Sequence, residues 1–555
     1  MNNCKKLLAL LLAMVLTLAL FAGCGGEKTP ASNDGTGSTE SNQGGTKTEW
    51  DGTPQFGGHL NMHIYAKPNG LDPCEQTGIW KYMWTTCVWE NVLTRDAENN
   101  IAPGVCEYEL SEDKLTIKLW VRENAFFSDG SPVEIEDVDT SLRRHFTGFA
   151  SNGKKYVGDL VDTMTIDGDV LTITFKSYHE KTLHYLAAYQ TWLGIMPKEI
   201  AEKHWEAPIL DEIEDCISTG PYKVVDFKDG EYITIAKNEH YIPVAEGRTG
   251  FAAPKIGYLD TITFWYNGDN SSATLALMSG EYDITDVVDA EYMDMATEKG
   301  IVRKVYDSYV GTTITFNTMG STNACAKYPD LRKAIMAAID YDEFLGVVTD
   351  GCQVLGGSMC VLPEYDTDAW EDKEWFGEAN QDVVDKYLDA ARAAGYNDQP
   401  VQVVYNTTRD DIPTLLCGYL DDAGINFELS TMESSTYSAF IGDPGNNWDF
   451  YFGWPNYAFT PATLQDLLTR NNYKNPEKDA ILEALELMTP GSEEYIAQWQ
   501  TLAEIMAEDC ATAHMGMIDW IWYHPAELHT NDEGLIRFMY NAFWEDPANH
   551  PSPSF

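Results

Sequence analysis

The stretch "VQVVYNTTRDDIPTLLCGYLDDAGINFELS", residues 401–430, decides the architecture of half the chain. Val401 to Thr407 is a short run rich in valine, bounded by polar residues, and reads as a strand. Ile412 to Ala423 reads as a helix that ends at Gly424, a residue suited to a left-handed stop. Ile425 to Ser430 reads as a second strand. Strand, helix and strand in this order predict a right-handed parallel crossover. Working outward, "WDFYFG" (Trp448–Gly453) is the next buried strand and "VGTTITFNT" (Val310–Thr318) an earlier one. Asp330–Asp340 reads as a helix. Asp382–Ala394 places Val384, Tyr387, Leu388 and Ala391 on one helical face before Gly395. From about Val305 onward the expectation is a parallel α/β sheet.

The connection after Gly453 has an unusual composition. Trp454, Asn456, Tyr457 and Phe459 carry no charge, and Thr460-Pro461 then opens a helix, the threonine as cap and the proline at the first turn. In open parallel sheets, ligands bind in the crevice beyond the carboxyl ends of the strands. Rings and an amide placed there form a binding surface. The competing reading packs the same rings beneath the loop.

Before Val305 the pattern is richer in strands. "GGHLNMHIY" (Gly57–Tyr65) and "LTIKLWV" (Leu115–Val121) read as strands. Met164–Phe175 and Gly220–Lys237 read as hairpins around Asp167-Gly168 and Asp229-Gly230. A helix runs from about Glu134 to Phe146. There is no internal repeat.

The first 49 residues belong to no core. Lys5 and Lys6 precede an apolar run, Leu7 to Ala22, of signal-peptide length and too short to span a bilayer. Residues 25–47 are Gly, Ser, Thr and Asn with almost no apolar content, the composition of a flexible tether.

At 555 residues the chain exceeds one ordinary core. The formal charge is −50, from 37 basic and 87 acidic residues. That excludes nucleic acid and docking on an anionic bilayer through a basic patch, and otherwise describes a soluble exposed surface. Eleven cysteines include Cys4 and Cys24; the other nine are scattered with no CxxC, so neither a disulfide scaffold nor a zinc site is indicated. Cys352 and Cys360 could close a short loop or stay separate thiols. "GFASNGKK" (Gly148–Lys155) misses the phosphate loop, because Lys155 stands where a metal-binding hydroxyl is needed and a helix precedes it. His59 and His63 share a face of one strand without further ligands and read as ordinary surface histidines. "HPAELH" (His524–His529) lacks the spacing of a zinc protease, and no GxSxG occurs. No motif supplies a catalytic pair, a metal site or a cofactor site, so the chain reads as a non-enzyme.

Several stretches, taken in order, resemble the extracellular solute-binding proteins of ABC importers, family 5, which holds the oligopeptide and dipeptide receptors. They are "FGGHLNM", "NGLDP" (Asn69–Pro73), "WENVLTRDAENNIAPGV" (Trp89–Val105), "LTIKLWVRENAFFSDGSPVEIEDVDTSLRR" (Leu115–Arg144), "STGPYKVVDFKDGEYITIAKNEHY" (Ser218–Tyr241), "MSGEYDI" (Met278–Ile284), "FNT" (Phe316–Thr318) and "LRKAIMAAIDYDEFL" (Leu331–Leu345). "LFAGCGG" resembles a lipoprotein lipobox, with Phe21 where an aliphatic residue is usual, and implies lipidation at Cys24. The resemblance implies an α/β, two-lobed periplasmic-binding-protein type II-like fold with an extra N-terminal domain. Its parts would be a signal peptide (1–23), a tether (24–49), lobe I (50–91, 215–305 and 520–555), an inserted domain (92–214) and lobe II (306–519). It implies a monomer, lipid-anchored at the extracellular face of the membrane or periplasmic, that closes on a ligand and delivers it to ABC permease subunits.

The same resemblance makes Gly453, Trp454, Asn456, Tyr457 and Phe459 the ligand loop, with Tyr437 and Asn317 as further candidates. Peptide receptors there read Trp, two residues, Asp, then Pro, and the Asp pairs with the peptide's ammonium. Counting from Trp454 to Pro461, that position holds Tyr457, and a shift of one gives Asn456. Neither is a carboxylate. A short peptide remains the expected ligand, with an oligosaccharide or other neutral polar solute as the alternative. A secreted hydrolase and a surface signalling receptor are the readings from other classes.

Overall fold

The computed structural model describes residues 50–553, apart from 66, 69, 76–78, 98–99, 149–152, 155–156, 179, 188–192, 349–352, 356–364, 366, 407–410, 454–472, 486–487, 489–490 and 531–537. Cys24, the tether, and the Cys352/Cys360 pair therefore lie outside the described residues, as do Trp454, Asn456, Tyr457 and Phe459.

The unit from Thr53 to Phe555 is built on three larger sheets. The first has the spatial order His59–Ile64, Thr261–Tyr266, Tyr232–Lys237, Tyr222–Lys228; its first pair is parallel and the rest antiparallel. Its hairpin turns at Gly230, whose φ of 73° suits glycine. The second sheet is antiparallel, in the order Cys106–Leu110, Thr116–Val121, Val170–Phe175, Val161–Asp167. Its last hairpin turns at Gly168-Asp169, one residue later than expected, because Asp167 still pairs with Val170. The helix Ile135–Thr147 covers it, burying Ile135, Val138, Leu142 and Phe146. That helix opens with a reciprocal cap, in which the Glu134 N–H donates to Asp137 Oδ2 at 2.8 Å.

The third sheet runs Gln353–Leu355, Thr512–Pro525, Ile301–Phe316, Phe450–Gly453, Val401–Asn406, Phe427–Met432. The expected crossover is present: Val401–Asn406 lies parallel to Phe427–Met432 and to Phe450–Gly453. The other half is antiparallel, so the sheet is mixed and the all-parallel expectation is corrected. The reversed strand is Ile301–Phe316: it pairs antiparallel with both Phe450–Gly453 and Thr512–Pro525, which therefore run the same way, joined through the helices Pro476–Leu485 and Glu493–Asp509. The helix Gln381–Ala393 buries the expected stripe of Val384, Tyr387, Leu388 and Ala391, together with Val383.

The buried apolar residues form three large clusters. One surrounds the first sheet, one the second and one the third. Ile301–Phe316 and Thr512–Pro525 are rooted in two of them. Tyr306 and Trp522 pack in the first cluster, while Ile314, Phe316 and Ala513 pack in the third. Between these roots the ladder is interrupted twice, at Tyr306/Val310 and at Thr312/Thr313.

Residues of two separate motifs meet where the first sheet adjoins the second. Asp72 of "NGLDP" and Arg144 of the Leu115–Arg144 stretch form an ion pair, with both side chains almost wholly buried. Asp72 also accepts from the Ile209 and Cys74 N–H groups at 3.0 Å each, and Arg144 Nε donates to the His204 carbonyl at 2.8 Å. Next to it, His145 is fully enclosed, with Nε2 2.9 Å from the Tyr185 hydroxyl and Nδ1 3.3 Å from Cys74 Sγ. Burial drives the His145 pKa down to about 3, and the Arg144 charge adds to the effect. His63 also departs from expectation. It is buried, bonded to the Asn267 carbonyl at 2.8 Å and to Thr285 at 3.0 Å, and is not a surface histidine.

Candidate functional site

Phe450–Gly453 is the centre of the site. Phe450 and Phe452 alternate into the third core, while Tyr451 faces the opposite side of the sheet. Gly453 ends the strand opposite Thr313, whose hydroxyl donates to the Gly453 carbonyl at 3.4 Å. The carboxyl end of the strand therefore sits beside the place where Ile301–Phe316 leaves the third core for the first. Residues 454–460, outside the described residues, follow Gly453 in the chain.

Tyr437 comes to the same place. It projects from the helix Ser434–Ile441 into a small cluster with Val404, Trp448 and Tyr451. Its ring meets Tyr451 edge-on at 6.0 Å, and its hydroxyl lies 3.5 Å from the Phe452 carbonyl, one residue short of Gly453. Tyr437 is 8% exposed, so it supports the floor of this end of the strand.

Asn317 does not join them. Thr313 pairs with Gly453 but Phe316 pairs with Phe450, so Asn317 stands at the amino end of the strand, roughly 13 Å from Gly453 at ~3.3 Å per residue. Its side chain is fully engaged. Nδ2 donates to the Pro444 and Trp448 carbonyls at 3.0 Å each, and Oδ1 accepts from the N–H groups of Met319 (3.1 Å) and Gly320 (3.0 Å). Asn317 holds a turn rather than facing a crevice.

The residue that sequence reasoning missed is Asp449. It is 1% exposed, and its two oxygens accept from the Cys325 and Gln402 N–H groups at 2.8 Å each. Burial raises its pKa above the usual carboxylate range, and these N–H bonds oppose the rise. Asn323 adds a second brace, donating to the Asn446 carbonyl at 3.1 Å and to that of Trp448. Asn317, Asn323 and Asp449 thus clamp the amino end of the strand and fix where its carboxyl end emerges. An acidic residue inside the run "WDFYFG" was the available signal, because a buried charge must be bonded. Among the described residues no group of His, Cys, Asp and Glu is arranged to hold a metal ion, and no helix is long and apolar enough to cross a membrane.

Residues 100–508 match the sequence model of the bacterial extracellular solute-binding proteins, family 5, middle region. The oligopeptide-binding protein AppA of Bacillus subtilis is 22% identical, over 97% of this chain and 97% of its own. The periplasmic murein peptide-binding protein MppA of Escherichia coli is 23% identical, over 76% of this chain and 81% of its own. Among solved structures, AppA in complex with a nonapeptide superposes with a TM-score of 0.70 at 17% identity, covering 89% of this chain and 100% of that one. AgaA of A. tumefaciens, in complex with agropinic acid, does so with 0.71 at 19% identity, covering 88% and 99%. These structures share the two-lobed mixed α/β fold.

Proposed function

The chain belongs to the bacterial extracellular solute-binding proteins of family 5, and from that premise we propose that it is the lipid-anchored substrate-binding subunit of an ABC importer. It captures a short peptide between two lobes and delivers it to the permease. The observation that carries this reading is the position of Gly453, at the carboxyl end of a buried strand, beside the two strands rooted in separate cores. The loop that starts there carries Trp454, Asn456, Tyr457 and Phe459. Trp454, Tyr457 and Phe459 stack on the ligand, and Asn456 bonds its amides or hydroxyls.

Lobe I comprises 50–91, 215–305 and 520–555, the inserted domain 92–214 and lobe II 306–519. Cys24 carries the lipid, and residues 25–47 give the lobes reach from the membrane. The peptide reading draws support from relatives named for oligopeptides and murein peptides. One observation favours a second ligand class: no carboxylate occupies the ammonium-pairing position of the loop, and a structural neighbour holds agropinic acid. An oligosaccharide or other neutral polar solute is then the ligand. Calorimetry on residues 48–555 with di- to pentapeptide pools and with oligosaccharide pools separates the two. Heat from neither pool overturns the transport reading.

A further inference from the structure

A narrow cavity lies beside the helix Ile79–Val88 and the small hairpin of Leu93–Arg95 and Ile101–Pro103, away from the strand ends of the third sheet. None of its lining residues falls within 301–525. Its polar walls are Thr86, Glu90, Asn91, Thr94, Lys255 and Tyr540.

The charges there do not balance. Glu90 is 6% exposed and already satisfied: Oε2 accepts from Arg122 Nη2 and Oε1 from the Tyr241 hydroxyl, each at 3.1 Å. Arg122 is equally enclosed, so this carboxylate is neutralised by its own buried partner. Lys255 is then a second cation facing a carboxylate already matched to the first. Its ammonium lies 5.1 Å from the centre of the Tyr540 ring and makes no hydrogen bond among the described residues. Burial lowers its pKa, and Glu90 only partly opposes this. Tyr540 is 4% exposed, and its hydroxyl likewise has no hydrogen-bond partner among the described residues. The cavity thus presents an ammonium and a phenol, neither of them hydrogen-bonded among the described residues. A nearly enclosed donor without a partner costs about 1–3 kcal/mol, and the half-buried Lys255 ammonium gives up part of its hydration without a hydrogen bond in return. Water would satisfy the hydrogen bonds but not the charge.

We propose that this cavity binds a small monoanion, a halide or a short carboxylate, between Lys255 and Tyr540. The anion accepts from both donors and brings the Glu90–Arg122–Lys255 group to neutrality. The site ties the inserted domain to the first core, and it rests on none of the transport reading.

The test is a sodium chloride titration from roughly 5 to 200 mM, followed by thermal unfolding of the parent, Lys255→Met and Tyr540→Phe. General salt effects appear in all three. Binding at the site adds about 2 °C to the parent's midpoint shift over that of Lys255→Met. Tyr540→Phe, which removes one atom, retains less than half of that excess. Crystals grown in bromide place an anomalous peak between Lys255 Nζ and Tyr540 Oη. Equal shifts in all three proteins, or water at that position in bromide crystals, overturn the assignment.

Discussion

His145 gives the most quantitative test of how the first core and the inserted sheet are joined. Its imidazole is enclosed by Arg144, Cys74 and Tyr185, and its pKa falls from 6.5 to about 3. At pH 7 the ring is neutral whether the chain is folded or not. At pH 5 the unfolded chain protonates it and the folded chain does not. For a base whose folded pKa is depressed, stability is complete above the unfolded pKa and drains away as pH falls from 6.5 toward 3. At pH 5 the loss is 1.5 pH units at ~1.36 kcal/mol per unit, about 2 kcal/mol from this residue alone. His145→Gln keeps one polar contact and removes the titration. Urea unfolding of parent and variant at pH 7 and pH 5, followed by tryptophan fluorescence, yields a difference of differences in which all other titrating groups cancel. The parent should lose about 2 kcal/mol more than the variant between the two pH values. Equal losses refute the reasoning, because the ring would then take up its proton without leaving the fold.

Four further substitutions probe the buried contacts and the loop. Arg144→Met strands the buried Asp72 carboxylate and should cost about 3–5 kcal/mol in urea unfolding, with part recovered by adding Asp72→Asn. Asn317→Ala removes four hydrogen bonds from a buried turn and should lower stability by about 3 kcal/mol; a loss under about 1 kcal/mol would mean the turn holds itself. Trp454→Ala should weaken ligand binding at least tenfold by calorimetry with circular dichroism unchanged, and unchanged affinity would assign that ring to packing. Asn456→Asp should strengthen peptide binding only where a ligand ammonium reaches it, and weaker binding to every peptide would favour neutral ligands.

Much of the fold was legible because it rests on local periodicity. The stripe of Gln381–Ala393 and the strand–helix–strand unit at 401–432 follow from residue spacing alone. The reversed direction of Ile301–Phe316, which lies between two strands running the other way, was not legible, since it is set by pairing with segments far along the chain. The site divides the same way. Gly453 stands where sheet topology requires, whereas Asn317 was assigned by its place at a strand end without knowing which end its partner turned toward it. Pairing across antiparallel strands is information between distant segments, and no single segment holds it. The Asp72–Arg144 pair shows the converse: two motifs far apart in the chain prove to be the halves of one contact.

The ribbon of Ile301–Phe316 and Thr512–Pro525 carries a mechanical consequence. Paired strands resist stretching and sliding, because either breaks several backbone bonds at once, but they yield to bending where the ladder is interrupted. Both interruptions fall between the rooted residues Tyr306 and Ile314, one displacing residues of the first strand and the other of the second. Closure of the two cores on a ligand, as proposed above, would thereby reduce to one angular coordinate over about seven residues. A pair of spin labels, one in each core, would report occupancy as a rotation about this ribbon at constant ribbon length.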